Sequence, residues 1–128
     1  MLNSSFYITL HESLQYFTGS LNAQLLKGYR LRGEWEVAIV TCVVHTKTNA
    51  VLWAFCDLVD YNNVNGVSMQ VLDLIDPSVT KSSKPMYVKL IKKSFSGINI
   101  QLKEKPLVDE LLSESSSDVT CILHFQKT

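Results

Sequence analysis

Leu31-Arg32-Gly33-Glu34-Trp35-Glu36-Val37-Ala38-Ile39-Val40-Thr41-Cys42-Val43-Val44-His45 is the stretch that decides the fold. In an extended chain successive side chains point to opposite faces. Trp35, Val37, Ile39, Thr41 and Val43 therefore share one face, and Glu36, Ala38, Val40, Cys42 and Val44 the other. Beyond Val37 both faces are apolar and rich in β-branched residues, so 34–45 reads as a long central strand covered on both sides.

Similar signals extend in both directions. In Ser5 to His11, Phe6, Ile8 and Leu10 alternate with Tyr7, Thr9 and His11, giving a strand with a clear inside. Glu12 to Ser20 is weakly helical or turn-like, Thr18-Gly19-Ser20 is a breaker, and Leu21 to Leu26 reads as a short strand. Lys27-Gly28-Tyr29-Arg30 is a turn candidate, since glycine takes positive φ at little cost. After Thr46-Lys47-Thr48-Asn49, the segment Val51 to Tyr61 reads as a hairpin partner of the central strand. Asn62-Asn63-Val64-Asn65-Gly66 is the strongest turn, leading into a strand over Val67 to Ile75. Asp76-Pro77 to Lys84-Pro85 is a polar loop with little to bury. Met86 to Ser94 and Ile98 to Lys103 are strands split by Ser96-Gly97, and Pro106 to Leu112 is a short helix or an irregular edge. Glu114-Ser115-Ser116-Ser117-Asp118 is expected to be exposed, and Val119 to Gln126 is the last strand. About eight short strands without a long amphipathic helix predict an all-β fold: one antiparallel β-sandwich, jelly-roll-like, formed by a single domain over residues 1–128.

Composition narrows the function classes. At 128 residues the chain is long enough for one sizeable core, and 46% hydrophobic with 19% charged residues argues against overall disorder. Twelve basic residues balance twelve acidic ones, so no global field draws the chain to nucleic acid or anionic membrane. Met1-Leu2-Asn3-Ser4 lacks the regions of a signal peptide, and no apolar run approaches the ~20 residues of a spanning helix. Synthesis in the cytosol or nucleus, without membrane insertion, is the expectation. Cys42, Cys56 and Cys121 are odd in number and lie in apolar runs, as buried reduced thiols do.

The strand Ser5-Phe6-Tyr7-Ile8-Thr9-Leu10, the run Gly33-Glu34-Trp35-Glu36-Val37 and the closing Leu123-His124-Phe125 also carry a resemblance. Together they resemble the structural, minor capsid or penton-like proteins of Polinton/Maverick-type elements and related insect DNA viruses. In those proteins a strand of the sense FYxTL precedes LxGxWEVxL and the last strand closes on LHF. The resemblance covers the two ends of the chain. This sequence departs from it in having no glycine between Glu104 and Ser117 and in carrying Gln126 where the family has arginine. The resemblance implies that Gly33, Trp35, Val37, Phe95, Ile98, Leu123 and Phe125 are framework residues, and that the setting is a virion.

Residues able to carry chemistry are few. His11, His45 and His124 are isolated in sequence, with no cysteine or carboxylate at metal-ligand spacing. Asp57, Asp60, Asp73 and Asp76 fall near strand ends, but their spacing fits no calcium loop and such charges are ordinarily solvated. There is no nucleophile elbow and no phosphate-binding glycine pattern. No catalytic residue, metal site or cofactor is therefore assigned. Trp35 and Trp53 read as anchors of the core or of a subunit seam. The one charge asymmetry is basic: Lys81, Lys84, Lys89, Lys92 and Lys93, interleaved with Tyr87 and followed by Phe95. These lysines suit an edge strand guarded against unwanted pairing, or else a contact with DNA or an acidic neighbouring subunit. The acidic stretch Asp109, Glu110, Glu114 and Asp118 is a candidate counterpart.

The function expected is that of a non-enzymatic viral structural protein, a minor capsid, penton or spike component in assembly, surface display or attachment. Its partners would be copies of itself, a major capsid protein and a host surface molecule. The alternative is a virus- or transposon-derived module that binds a host protein or nucleic acid. A β-barrel holding a small ligand is a third reading, resting on the apolar strand faces alone.

Overall fold

Alternation around Trp35 becomes strand β3 (Trp35–Val43), and its neighbours account for its apolar length. In the computed structural model, which describes residues 4–46, 50–81, 84–112 and 115–128, β3 lies between two antiparallel partners. In chain order the remaining strands are β1 (Ser5–Glu12), β2 (Ser20–Arg30), β4 (Leu52–Cys56), β5 (Asn62–Val64), β6 (Val67–Met69), β7 (Val71–Ile75), β8 (Val88–Lys89), β9 (Ser94–Lys103) and β10 (Val119–Lys127). One four-stranded sheet has the order β1-β10-β3-β8 and the other β2-β9-β4-β7, while β5 and β6 form a separate hairpin. The chain changes sheet at almost every connection, and its first and last sheet strands are direct neighbours. That is the double-sheet jelly roll, an antiparallel β-sandwich.

Apolar side chains of both sheets fill the space between them. Val37, Leu123 and Phe125 from one sheet and Leu52, Ile100 and Leu102 from the other are fully buried. At one end the rings interleave. Phe6 stacks on Phe125 at 4.8 Å and on Tyr29 at 4.5 Å, and Phe95 lies 5.9 Å from Phe125. Because Phe6 and Phe125 belong to one sheet and Tyr29 and Phe95 to the other, this column of rings fixes the two layers together. Trp35, 5% exposed, closes it, its indole N–H donating to the Arg32 carbonyl at 2.9 Å. Gly33 permits that turn: its φ is +86°, a conformation that side-chain-bearing residues rarely adopt.

Burial of both faces of β3 has an origin that simple alternation misses. Ile39 pairs with Leu123 and Thr41 with Ile122, leaving Val40 as an extra residue in a β-bulge. Before the bulge Trp35, Val37 and Ile39 are in the core; after it Cys42 and Val44 are. The bulge reverses parity, so apolar residues of both registers reach one interior.

Several sequence expectations are corrected. Residues 27–30 do not turn. They continue β2, which absorbs the extra residues in a register shift between Gln24 and Tyr29. Val51 to Tyr61 is not the hairpin partner of β3, because β4 lies in the opposite sheet between β9 and β7. Ser96-Gly97 lies inside a continuous β9, where the backbone is held by β2. Val67 to Ile75 splits into β6 and β7, and Met86 to Ser94 reduces to the two residues of β8. Residues 106–112 are irregular. Pro77 in the polar loop is buried, and so is Ser115, whose hydroxyl donates to the His45 carbonyl at 3.0 Å. Residues 47–49 and Glu114 lie outside the described residues. The Asn65-Gly66 turn forms the β5–β6 hairpin with both residues at positive φ, +50° and +86°.

Candidate functional site

Each lysine singled out by sequence is set by the run of its own strand or loop. Lys89 is the last residue of edge strand β8 and pairs with Glu36, whereas Lys81 bridges to Thr41. Those partners lie five steps apart along β3, roughly 16 Å at the rise of a strand. The basic segment is therefore divided between two ends of one sheet. Glu34 takes up part of its charge: Lys93 Nζ lies 3.3 Å and Lys89 Nζ 3.5 Å from its carboxylate. The hydrogen bond from Lys93 and the charges of both lysines hold Glu34 below its ordinary value. Lys84 and Lys92 are exposed. Gly33, Trp35, Val37, Phe95, Ile98, Leu123 and Phe125 stand in the turn and core described above; Ile98 is 2% exposed.

Cysteines that are distant in sequence become neighbours. Cys42 and Cys121 are directly opposed across β3 and β10, and both are buried. Hydrogen bonding to Cys42, and then burial, raises the Cys121 thiol well above its ordinary value. Burial pushes the Cys56 thiol up to about 12. Those shifts keep Cys121 and Cys56 protonated at neutral pH, the reverse of what a thiolate nucleophile requires.

The histidines have separate partners. His11 Nδ1 is 2.8 Å from the Thr120 hydroxyl and Nε2 is 3.6 Å from Asp118. His124 sits on the outer face of β10, its Nδ1 2.7 Å from the Tyr87 hydroxyl and its ring stacked on Tyr7. The four aspartates have different partners, although Asp73 and Asp76 line one cleft. Asp57 accepts from the Asn99 backbone N–H, Asp60 from that of Tyr61, and Asp76 from the N–H and hydroxyl of Ser78. Asp73 alone shares the inward face of its strand, opposite Ala54 and two residues from buried Ile75. Its carboxyl is raised by burial. It lines a cleft of about 280 Å³ beside the Val40 bulge, with Thr41, Asp76, Lys84 and Met86. Among the described residues no three His, Cys, Asp or Glu side chains form a group fit for a metal ion, and no helix is long and apolar enough to cross a membrane.

The outer face of the β2-β9-β4-β7 sheet carries a mixed polar and apolar surface. Phe55 and Gln101 are paired across β4 and β9, as are Asn22 and Asn99 across β2 and β9. A cleft of about 370 Å³ opens over these strands, walled on one side by Tyr61, Ser68, Met69 and Gln70. Its wall is tied down. The Gln70 side-chain amide donates to the carbonyls of Val59 at 2.9 Å and Asp57 at 3.2 Å, and the Gln70 backbone carbonyl accepts from the Cys56 N–H at 3.0 Å. Asn99 Nδ2 donates to Asn22 Oδ1, and Lys103 Nζ sits 5.1 Å from the centre of the Phe55 ring. Sequence reading singled out none of Phe55, Tyr61, Asn99 or Gln101. The Asn65-Gly66 signal placed the hairpin, but only the sheet order brings β9 alongside β4. Neither a protein-family model nor a curated protein matches this sequence. The fold defines the class, a double-sheet jelly roll with a polar cleft on one outer face and a split set of lysines along the other sheet.

Proposed function

We propose that this chain is a viral structural protein, a minor capsid, penton or spike component that packs against copies of itself and against a major capsid protein. The observation that carries the proposal is the strand order β1-β10-β3-β8 over β2-β9-β4-β7, the architecture that capsid domains use. It joins the resemblance of the Gly33-Glu34-Trp35-Glu36-Val37 run and of the closing Leu123-His124-Phe125 to Polinton-type structural proteins. Exposed Tyr7, 64% accessible, and Met86, 61% accessible, supply apolar surface on and beside the β1-β10-β3-β8 sheet for a neighbouring subunit. Closed symmetry then makes a ring the natural product, a pentamer at a vertex or a trimer in a spike.

The absolute mass in solution, by light scattering at low and high salt, tests this. A closed trimer or pentamer that survives high salt is expected, together with recovery of the chain in purified particles. A monomer absent from particles rejects the proposal. If that chain is instead retained on DNA with a steep loss on adding salt, the module that binds nucleic acid replaces it.

A further inference from the structure

The cleft over β4 and β9 offers more hydrogen-bonding capacity than the fold uses. Gln101 is half-buried at its floor, yet its carboxamide has no hydrogen-bond partner among the described residues. Asn99 spends its Nδ2 on Asn22, and Asp57 spends Oδ1 on the Asn99 backbone, leaving Asn99 Oδ1 and Asp57 Oδ2 as acceptors. Tyr61, 57% exposed, and Ser68 add hydroxyls, and Lys103 adds a donor. The walls therefore present donors and acceptors in mixture, with one carboxylate offset by one ammonium. The exposed Tyr61 ring and Met69 supply the apolar part, since Phe55 is 9% exposed and lies beneath Lys103.

Each alternative ligand class wants something different. A phosphate or sulfate ester wants surplus positive charge, and an apolar ligand wants a dry pocket without unpaired amides. A neutral pyranose matches what is present: vicinal hydroxyls that both donate and accept, and a C–H face that packs on a ring. A cleft of about 370 Å³ lies in the size range of small-molecule sites. Gln70 fixes its wall in advance, which lowers the ordering cost of binding.

We propose that this cleft binds a neutral sugar through Gln101, Asn99, Asp57 and Tyr61. The inference deepens the attachment part of the functional proposal by giving the host surface molecule a chemical class, a neutral glycan terminus.

The test is nitrogen-15 NMR of the intact chain titrated with D-glucose, D-galactose and N-acetyl-D-glucosamine, with N-acetylneuraminic acid as the charged comparison. Saturable shifts of the Gln101 side-chain amide with at least one neutral sugar are expected. Gln101→Ala should weaken that sugar about tenfold or more while leaving the rest of the spectrum in place. Tyr61→Ser, at an exposed position away from the core, gives a second variant with the same expectation. Absence of saturable shifts with every neutral sugar overturns the inference. So does binding that survives both substitutions, or a response confined to the charged sugar. A chain that forms the closed oligomer but ignores sugars loses only the cleft assignment, whereas a sugar-binding monomer absent from particles loses only the assembly role.

Discussion

Trp35 combines three roles in one side chain: it fills the end of the sandwich, packs 5.6 Å from Phe6, and closes the Gly33 turn through its indole N–H. Trp35→Ala removes all of these and should cost ~3–5 kcal/mol in denaturant unfolding. Trp35→Phe keeps one aromatic ring but loses the N–H to Arg32 and part of the buried volume, and should cost about 1–2 kcal/mol, less than the alanine variant. Equal losses in the two variants would contradict this division. Asp73 makes the opposite case. Burial raises its carboxyl above the ordinary 3.8, so the ionised form is disfavoured in the folded state. Its contribution to stability is whole below that ordinary value and is lost as pH rises through the raised one. Asp73→Asn should therefore melt higher than the parent at neutral pH, with the gap closing as pH falls below 3.8. A gap that widens in acid would contradict the assignment. Only the difference between the two proteins is diagnostic, since Glu34 and Asp76 are shifted the other way and weaken both alike in acid.

At the scale of the element, β3 shows how one residue controls a strand. Val40 is the bulged position, and it sets Cys42 and Val44 into the core after Trp35, Val37 and Ile39. Deleting Val40 would remove the bulge and leave Trp35, Val37, Ile39, Cys42 and Val44 in strict alternation on the one inward face, with the pairing to β10 continuous. A folded variant with a dispersed NMR spectrum is expected. Loss of the folded state on deletion would show that the bulge does more than set parity. Elsewhere the sheet edges are managed by charge. Edge strand β8 is two residues long and carries Lys89, and Glu34 holds Lys89 and Lys93 beside it. A short, charged edge is a poor template for pairing with another chain.

For the whole molecule, topology governs folding. β1 pairs with β10, the first strand with the last, and β2 pairs with β9. Such pairings close long loops before any reward arrives, so tryptophan-detected refolding should take milliseconds to seconds. Sub-millisecond refolding would indicate that local contacts dominate instead. The same topology places the cleft, because Phe55 on β4 and Gln101 on β9 become partners only when the two sheets are laid out in this order.

Local physics in the sequence determined much of this protein. Alternation of Phe6, Ile8 and Leu10 made β1, the Asn65-Gly66 pair made the β5–β6 hairpin, and the lack of a long amphipathic pattern made the fold all-β. These features depend on a residue and its near neighbours, which is why they were legible. The bulges, the sheet assignment of β4, the meeting of Cys42 with Cys121 and the inward turn of Asp73 depend on partners tens of residues away. Lys27-Gly28-Tyr29-Arg30 looks like a turn by itself and is a strand because β9 holds Tyr29 and Arg30 against Phe95 and Ser94. Only the tertiary structure decided these, since backbone pairing between distant strands overrides local preference wherever it satisfies more hydrogen bonds and buries more apolar surface.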